Sequence, residues 1–208
     1  MSDDEHAARQ QRIAWYAARW PGAIILSYLG SWPQIDETAF IAPGAVVIGN
    51  VTIGPESSVW FNTTLRGDIA PIGVGARSSV QDGTVVHVNM DAPTTIGDDV
   101  TVGHSALIHG TTIGNGSMIG MGAIILSYSR IGSGVVIAAG ALIPERMEVP
   151  DGAVMMGIPA KQRDSLSEEQ QERIGSIGGR YVNVSRNYLA DLRSTVSREQ
   201  AETGPDDD

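Results

Sequence analysis

The sequence predicts an all-β solenoid: short parallel strands wound on a triangular section, followed by a C-terminal α-helix. Three observations predict it. Aliphatic residues recur every six positions, at Ile35, Ile41, Val47, Ile53, Val59 and Leu65, and again at Ile113, Ile119, Ile125, Ile131, Ile137, Ile143 and Val149. A small residue often follows directly, as in Ile53-Gly54, Ile113-Gly114, Ile119-Gly120 and Ile131-Gly132. The 208 residues include 25 glycines but only 5% aromatics, which suits a narrow Ile/Val core with many tight corners.

A strict period of six matches neither the 3.6 of a helix nor the 2.0 of a flat strand. Each hexad forms one side of a coil, and three hexads make a turn of about 18 residues. The aliphatic residue points inward and stacks on its equivalent in the next coil. The small residue turns the corner without a Cβ clash. Residues 35–158 give about seven such coils. A β-sandwich is the alternative, but nothing would lock its strands to a spacing of six.

The elements follow in order. Residues 1–22 form an N-terminal extension, acidic and then amphipathic, and partly helical. Residues 23–160 form the solenoid. Residues 161–200 form a helical segment: Ser165 and Glu168 in "DSLSEEQQERI" make a capping box. Gly175, Gly178 and Gly179 are expected to break that helix, with a second one from about residue 180 to 198. The tail 201–208, "AETGPDDD", is expected to be disordered.

Composition narrows the chemistry. A net charge of −10 argues against nucleic acid and anionic membranes as partners. The absence of cysteine excludes disulfides, thiolate metal sites and a Cys nucleophile. No apolar run approaches the roughly 20 residues of a membrane span, and the N-terminus lacks the pattern of a signal peptide. The expected location is the cytoplasm.

The period slips in the middle. Ile72 lies seven after Leu65, Ile113 lies five after Ile108, and "HVNMDAPTT" interrupts the repeat. These slips bracket three of the four histidines, His87, His104 and His109, at gaps of 17 and 5. Rule-breaking within a regular fold tends to mark function. Residues about 18 apart stack on one side, so His87 and His104 are candidates to share a side, with His109 near a neighbouring corner. Ordinary solvent-facing turn histidines are the plain alternative. His6, in the acidic segment, has no evident partner.

One narrow prism filled with Ile and Val does not easily bring three histidines to one outer point. Three prisms around a threefold axis do, with two histidines from one chain and one from its neighbour. The expectation is a homotrimer with three equal metal sites between subunits. Three imidazoles and a water form the open tetrahedral arrangement of a catalytic zinc, which supplies hydroxide at neutral pH.

Polar residues precede the histidines. "LRGDIAPIG" carries Arg66 and Asp68; "SSVQDGTVVH" carries Gln81 and Asp82. Arg66 can fork onto a carboxylate, and an Arg66–Asp82 pair between chains would pin a trimer. A structural salt bridge is the simpler role for Arg66 and Asp68. Gln81 has an amide able to orient a metal-bound hydroxide.

Taken together, "LRGD", "VQDGTVVH", "VTVGHSALIHG", "MIGMGA" and "GIPAK" resemble the gamma-class carbonic anhydrase family over roughly residues 23–190. The resemblance implies a left-handed parallel β-helix trimer that reversibly hydrates CO2 to bicarbonate with zinc, or in some members Fe(II) or Co. It implies His87 and His109 as ligands from one subunit and His104 from the next. It makes Gln81 a partner of the bound hydroxide, Arg66 and Asp82 an intersubunit pair near bicarbonate, and Asp68 an orienting group for Gln81 or part of the polar network. "YVNVSRNY" adds Tyr181 and Asn183 near the site. Three departures stand out. Ser79 replaces a frequent Asn, Ile69 follows "RGD" where a Glu is found, and the segment from Val88 to Thr95 has only Asp91 where a longer acidic loop carries a proton-shuttle Glu. Two other functions fit the fold: a CoA-dependent acyltransferase with a single His as general base, and a catalytically weak metal-binding scaffold.

Overall fold

The computed structural model describes residues 3–163 and 167–202. The inward residues of the hexads form one continuous core. Ile41, Val47, Ile53, Val59, Leu65, Ile108, Ile113, Ile119, Ile125, Ile137 and Ile143 are each at most 1% exposed. In the later coils hydrogen-bonded partners are 18 residues apart, as in Met118↔Val136, Ile124↔Leu142 and Arg130↔Glu148, all parallel. This is the expected parallel β-helix of about seven coils with a C-terminal helix. Its corners are tight: a Cβ on Gly120 would sit 2.4 Å from the Ala139 amide nitrogen, so only glycine fits there.

Two insertions and one deletion account for the slips. Asn50 of one coil lies opposite four residues of the next, Asp68–Pro71, because Gly49 pairs with Gly67 but Val51 pairs with Ile72. A small loop, closed by Asn89 and Ala92 bonding each other's backbone at 3.0 and 3.1 Å, widens the next coil. Partners across that coil are 22 apart, as in Ser79↔Thr101 and His87↔His109. The corner at Gly110 is then one residue short, and partners fall to 17 apart, as in Leu107↔Ile124.

The prism has three different faces. One outward ladder runs Ile24, Val46, Thr64, Val85, Leu107, Ile124, Leu142. It is apolar at six of seven positions, yet Ile24, Val85, Leu107 and Ile124 remain 37–46% exposed. The second face runs Gln34, Thr52, Gly73, Thr95, Thr112, Arg130, Glu148 and is polar, as a solvated face should be. The third begins with Phe40, Ser58 and Ser79 and is covered by the C-terminal helix.

Helix α1 (Asp3–Arg19) closes the N-terminal end of the core. Trp20, just past it, is 1% exposed and donates its indole N–H to the Ala39 carbonyl at 2.8 Å. Helix α2 (Glu168–Glu202) is unbroken through Gly175, Gly178 and Gly179, contrary to the expected two helices. Each interior glycine costs about 1 kcal/mol, and tertiary packing offsets that. Tyr188 packs on Phe40 and Trp60 at ring distances of 5.6 and 5.5 Å, and Leu189 is buried. A Cβ on Gly178 would meet the Asp99 carbonyl at 3.9 Å, so the helix runs close to that corner. Of the capping box, Ser165 lies outside the described residues, as do residues 203–208 of the tail.

Candidate metal centre

The two insertions and the short corner build the first half of the site. Because the inserted loop makes the coil 22 residues long, His87 stacks on His109 rather than on His104. Both end their strands, Val85–His87 and Leu107–His109, at one edge of the apolar face. Their ring centroids are 5.1 Å apart, and His87 Nδ1 faces His109 Nε2 at 3.1 Å.

Both outer nitrogens are anchored. His87 Nε2 lies 2.9 Å from Asp68 Oδ1, and His109 Nδ1 lies 2.8 Å from Ser127 Oγ. Asp68 stands on the inserted bulge and is also ion-paired with Arg66. Burial pushes the Asp68 carboxyl up, but hydrogen bonds from His87 and Arg66 outweigh it and hold it below the usual carboxylate range. An ionised carboxylate only accepts, so the neutral His87 tautomer this contact selects carries its proton on Nε2 and leaves Nδ1 as a lone pair. Burial, with His87 and Arg66 adding to it, holds the His109 imidazole below its usual range. The His109 ring is therefore favoured in its neutral form, the form a metal ligand needs.

The second half lies at the opposite edge of the same face. His104 sits in the corner before strand Leu107–His109, with Nδ1 2.8 Å from Asp82 Oδ2. Asp82 occupies the matching corner one coil earlier: Gln81 N bonds the Val102 carbonyl and Ser105 N bonds the Asp82 carbonyl. Both side chains are about two-fifths exposed, at 44% and 41%. Gln81 beside them is buried.

Strand residues advance about 3.3 Å each, so His104 and His109 are separated by the width of the face, on the order of 10 Å or more. Among the described residues, no cluster of three or more His, Cys or acidic side chains within the chain is able to hold a metal. The facing nitrogens do fit one as a pair. Two nitrogens on a tetrahedral zinc at 2.0–2.1 Å are about 3.3 Å apart, against the 3.1 Å found.

Other expected residues fall as follows. Within the chain, Asp68 contacts His87 and Arg66. Arg66 meets Asp68 within the chain and Asp82 meets His104. Tyr181 packs edge-on against Trp60 at 5.7 Å, and Asn183 accepts a long 3.4 Å bond from Arg186. Both lie on α2, over the third face. Ser79 accepts the Trp60 indole N–H at 2.9 Å and is buried, so it serves packing under α2. Asp91 accepts the Tyr128 hydroxyl at 2.6 Å, and Asn89 also bonds that hydroxyl.

The sequence reading missed Ser127. Turn serines are common in this chain, and only the three-dimensional register puts this one on His109.

The fold and paired histidines define a hexapeptide-repeat protein. Residues 110–145 match the family model described as bacterial transferase hexapeptide (six repeats). Relatives sharpen the assignment. The chain is 40% identical to a carbonic anhydrase of Geobacillus kaustophilus over 80% of its own length and 92% of that protein's. It is 40% identical to the mitochondrial Gamma carbonic anhydrase 2 of Arabidopsis thaliana over 82% of its length, and it spans 63% of that longer protein. The crystal structure of a hexapeptide transferase family protein from Anaplasma phagocytophilum superposes with a TM-score of 0.76 at 39% identity, covering 79% of this chain and 98% of that one. The chain belongs to the gamma carbonic anhydrase family. Among the described residues, no helix is long and apolar enough to cross a membrane.

Proposed function

We propose that the protein catalyses reversible hydration of CO2 to bicarbonate at a divalent metal, zinc first among the candidates, held between copies of the chain in a homotrimer. One observation carries this reading. A facing pair of histidines and a third histidine lie on opposite edges of an exposed apolar face. Around a threefold axis, the His87–His109 edge of one copy meets the His104 edge of the next. The apolar ladder supplies the contact, at about 25 cal/mol per Å² buried.

A zinc ion held by His87 and His109 of one copy and His104 of another would acidify a water to a pKa near 7, making hydroxide available at neutral pH. The chain's own residues do the rest. Asp68 accepts the His87 Nε2 proton and so keeps Nδ1 free, and Arg66 steadies Asp68. Gln81 is held in the corner beside Asp82, where its amide can orient the attacking oxygen or CO2. Arg66 and Asp82 are partly exposed at opposite edges, which suits an ion pair between copies near bicarbonate. Tyr181 and Asn183, on α2, line the approach from the third face. Each turnover releases one proton. Asp91 is tied to Tyr128, so the proton leaves most readily to buffer.

A weak metal-binding scaffold is favoured by that same tie on Asp91. A CoA-dependent acyltransferase is supported by the transferase neighbours, but it needs only one histidine and leaves the His87–His109 pair without a task.

Metal analysis and stopped-flow CO2 hydration on the purified trimer test the reading. The expected result is about one metal per chain and hydration accelerated by imidazole buffer. A trimer that takes up no metal sinks it. Metal without hydration, even in imidazole, leaves the scaffold. Acetyl transfer from acetyl-CoA without metal favours the transferase.

A further inference from the structure

The geometry points to Ser127 as the positioning residue for His109, the group that fixes the ring so that Nε2 faces His87 and a metal between them. The inference rests on the metal reading above and assigns a role to a residue outside it.

Four observations carry it. First, Ser127 Oγ is 2.8 Å from His109 Nδ1, and the serine is only 4% exposed. Second, that burial is exceptional for its place in the repeat. The same hexad position is exposed at Asn115, Met121, Ser133, Ala139 and Glu145. Ser127 is the member of this run whose side chain meets an imidazole nitrogen at hydrogen-bond distance.

Third, its backbone is pinned from both sides. Its carbonyl accepts the Arg146 amide at 3.1 Å, and the next residue donates to the Gly110 carbonyl at 2.7 Å. Fourth, Gly110 leaves the room. A Cβ there would approach Ser127 Oγ to 3.2 Å, and Gly110 takes φ +55, where glycine is favoured. The short corner after His109 is thus what lets the next coil's serine reach the ring.

The chemistry suits serine. A hydroxyl both donates and accepts. It can donate to Nδ1 when Nε2 carries the proton, and accept from Nδ1 when Nε2 is a ligand. His87 has a carboxylate in the corresponding role, so the two rings are oriented by different partners, one charged and one neutral. Outer partners of this kind set ring orientation and ligand basicity.

Ser127→Ala and Ser127→Thr test the role. The readouts are zinc affinity by chelator competition, the His109 Nδ1–H signal in ¹⁵N-histidine-labelled zinc-loaded trimer, and oligomeric state by sedimentation. The expected result is a protected His109 Nδ1–H in the wild type. Ser127→Ala should lose that protection and bind zinc about 10–100-fold more weakly, with Ser127→Thr recovering most of the affinity. Wild-type affinity and unchanged proton protection in a trimeric Ser127→Ala overturn the inference while the metal reading stands. If Ser127→Ala does not assemble, an unprotected His109 Nδ1–H in the wild type overturns it by itself. A wild-type trimer that binds no zinc instead overturns the metal reading.

Discussion

The two edges of the apolar face differ in how finished they are. At one edge His87 and His109 are stacked in register, each ring held by a second partner and partly buried. At the other, His104 has a single carboxylate partner, and both are about two-fifths exposed. On the proposed function, the first edge is a preorganised ligand pair and the second is a side chain waiting for a neighbour. The difference teaches that, on that reading, one chain carries two incomplete halves, and the apolar ladder between them makes assembly part of the chemistry.

The strongest way to break this comparison is complementation. His109→Ala and His104→Ala should each reduce CO2 hydration to near the uncatalysed rate, since each empties a different half of every site. Mixed subunits carrying the two substitutions should regain about one quarter of the sites, because each contact pairs halves independently. Stopped-flow assay of co-refolded variants measures it. No recovery would place all three histidines in one chain's site.

Next comes the face between the edges. Leu107→Glu puts an unpaired charge at its centre and should cost roughly 3 kcal/mol or more per copy, shifting sedimentation to monomer. Thr112→Glu on the polar face should leave the assembly intact. Equal behaviour of the two would remove the distinction between faces.

A smaller effect separates the supports of the two edges. Asp68→Asn should weaken metal binding about 10–100-fold, because the neutral amide can present either its oxygen or its NH2 and no longer fixes the His87 tautomer. Asp82→Asn should cost less, since its partner is more exposed. Chelator competition on trimers checks the order.

The mildest prediction concerns the loop after His87. Tyr128→Phe removes the hydroxyl bonded to Asp91 and Asn89 and should lower stability by about 1 kcal/mol in urea unfolding. The metal content should not change.

Much of this was legible in the sequence. The six-residue repeat was visible because each inward position tolerates only aliphatic residues. The slips were visible as departures from it. Their sense was not. "HVNMDAPTT" read as an interruption, and the coil length it produces is what pairs His87 with His109 instead of His104. Gly178 and Gly179 read as helix breakers because propensity is local, whereas α2 is held by Tyr188 against Phe40 and Trp60 and by the burial of Leu189. Ser79 read only as a departure from the family pattern, and its partner Trp60 is nineteen residues away in sequence and one coil away in space.

The sequence by itself determined the coil, its aliphatic core and the identity of the candidate ligands, because periodicity and residue chemistry are properties of the chain. Only the tertiary structure decided which histidines face each other, which edge each occupies, and that Ser127 reaches His109. Those depend on register between coils, where an insertion of four residues or the loss of one moves a side chain from one neighbour to another.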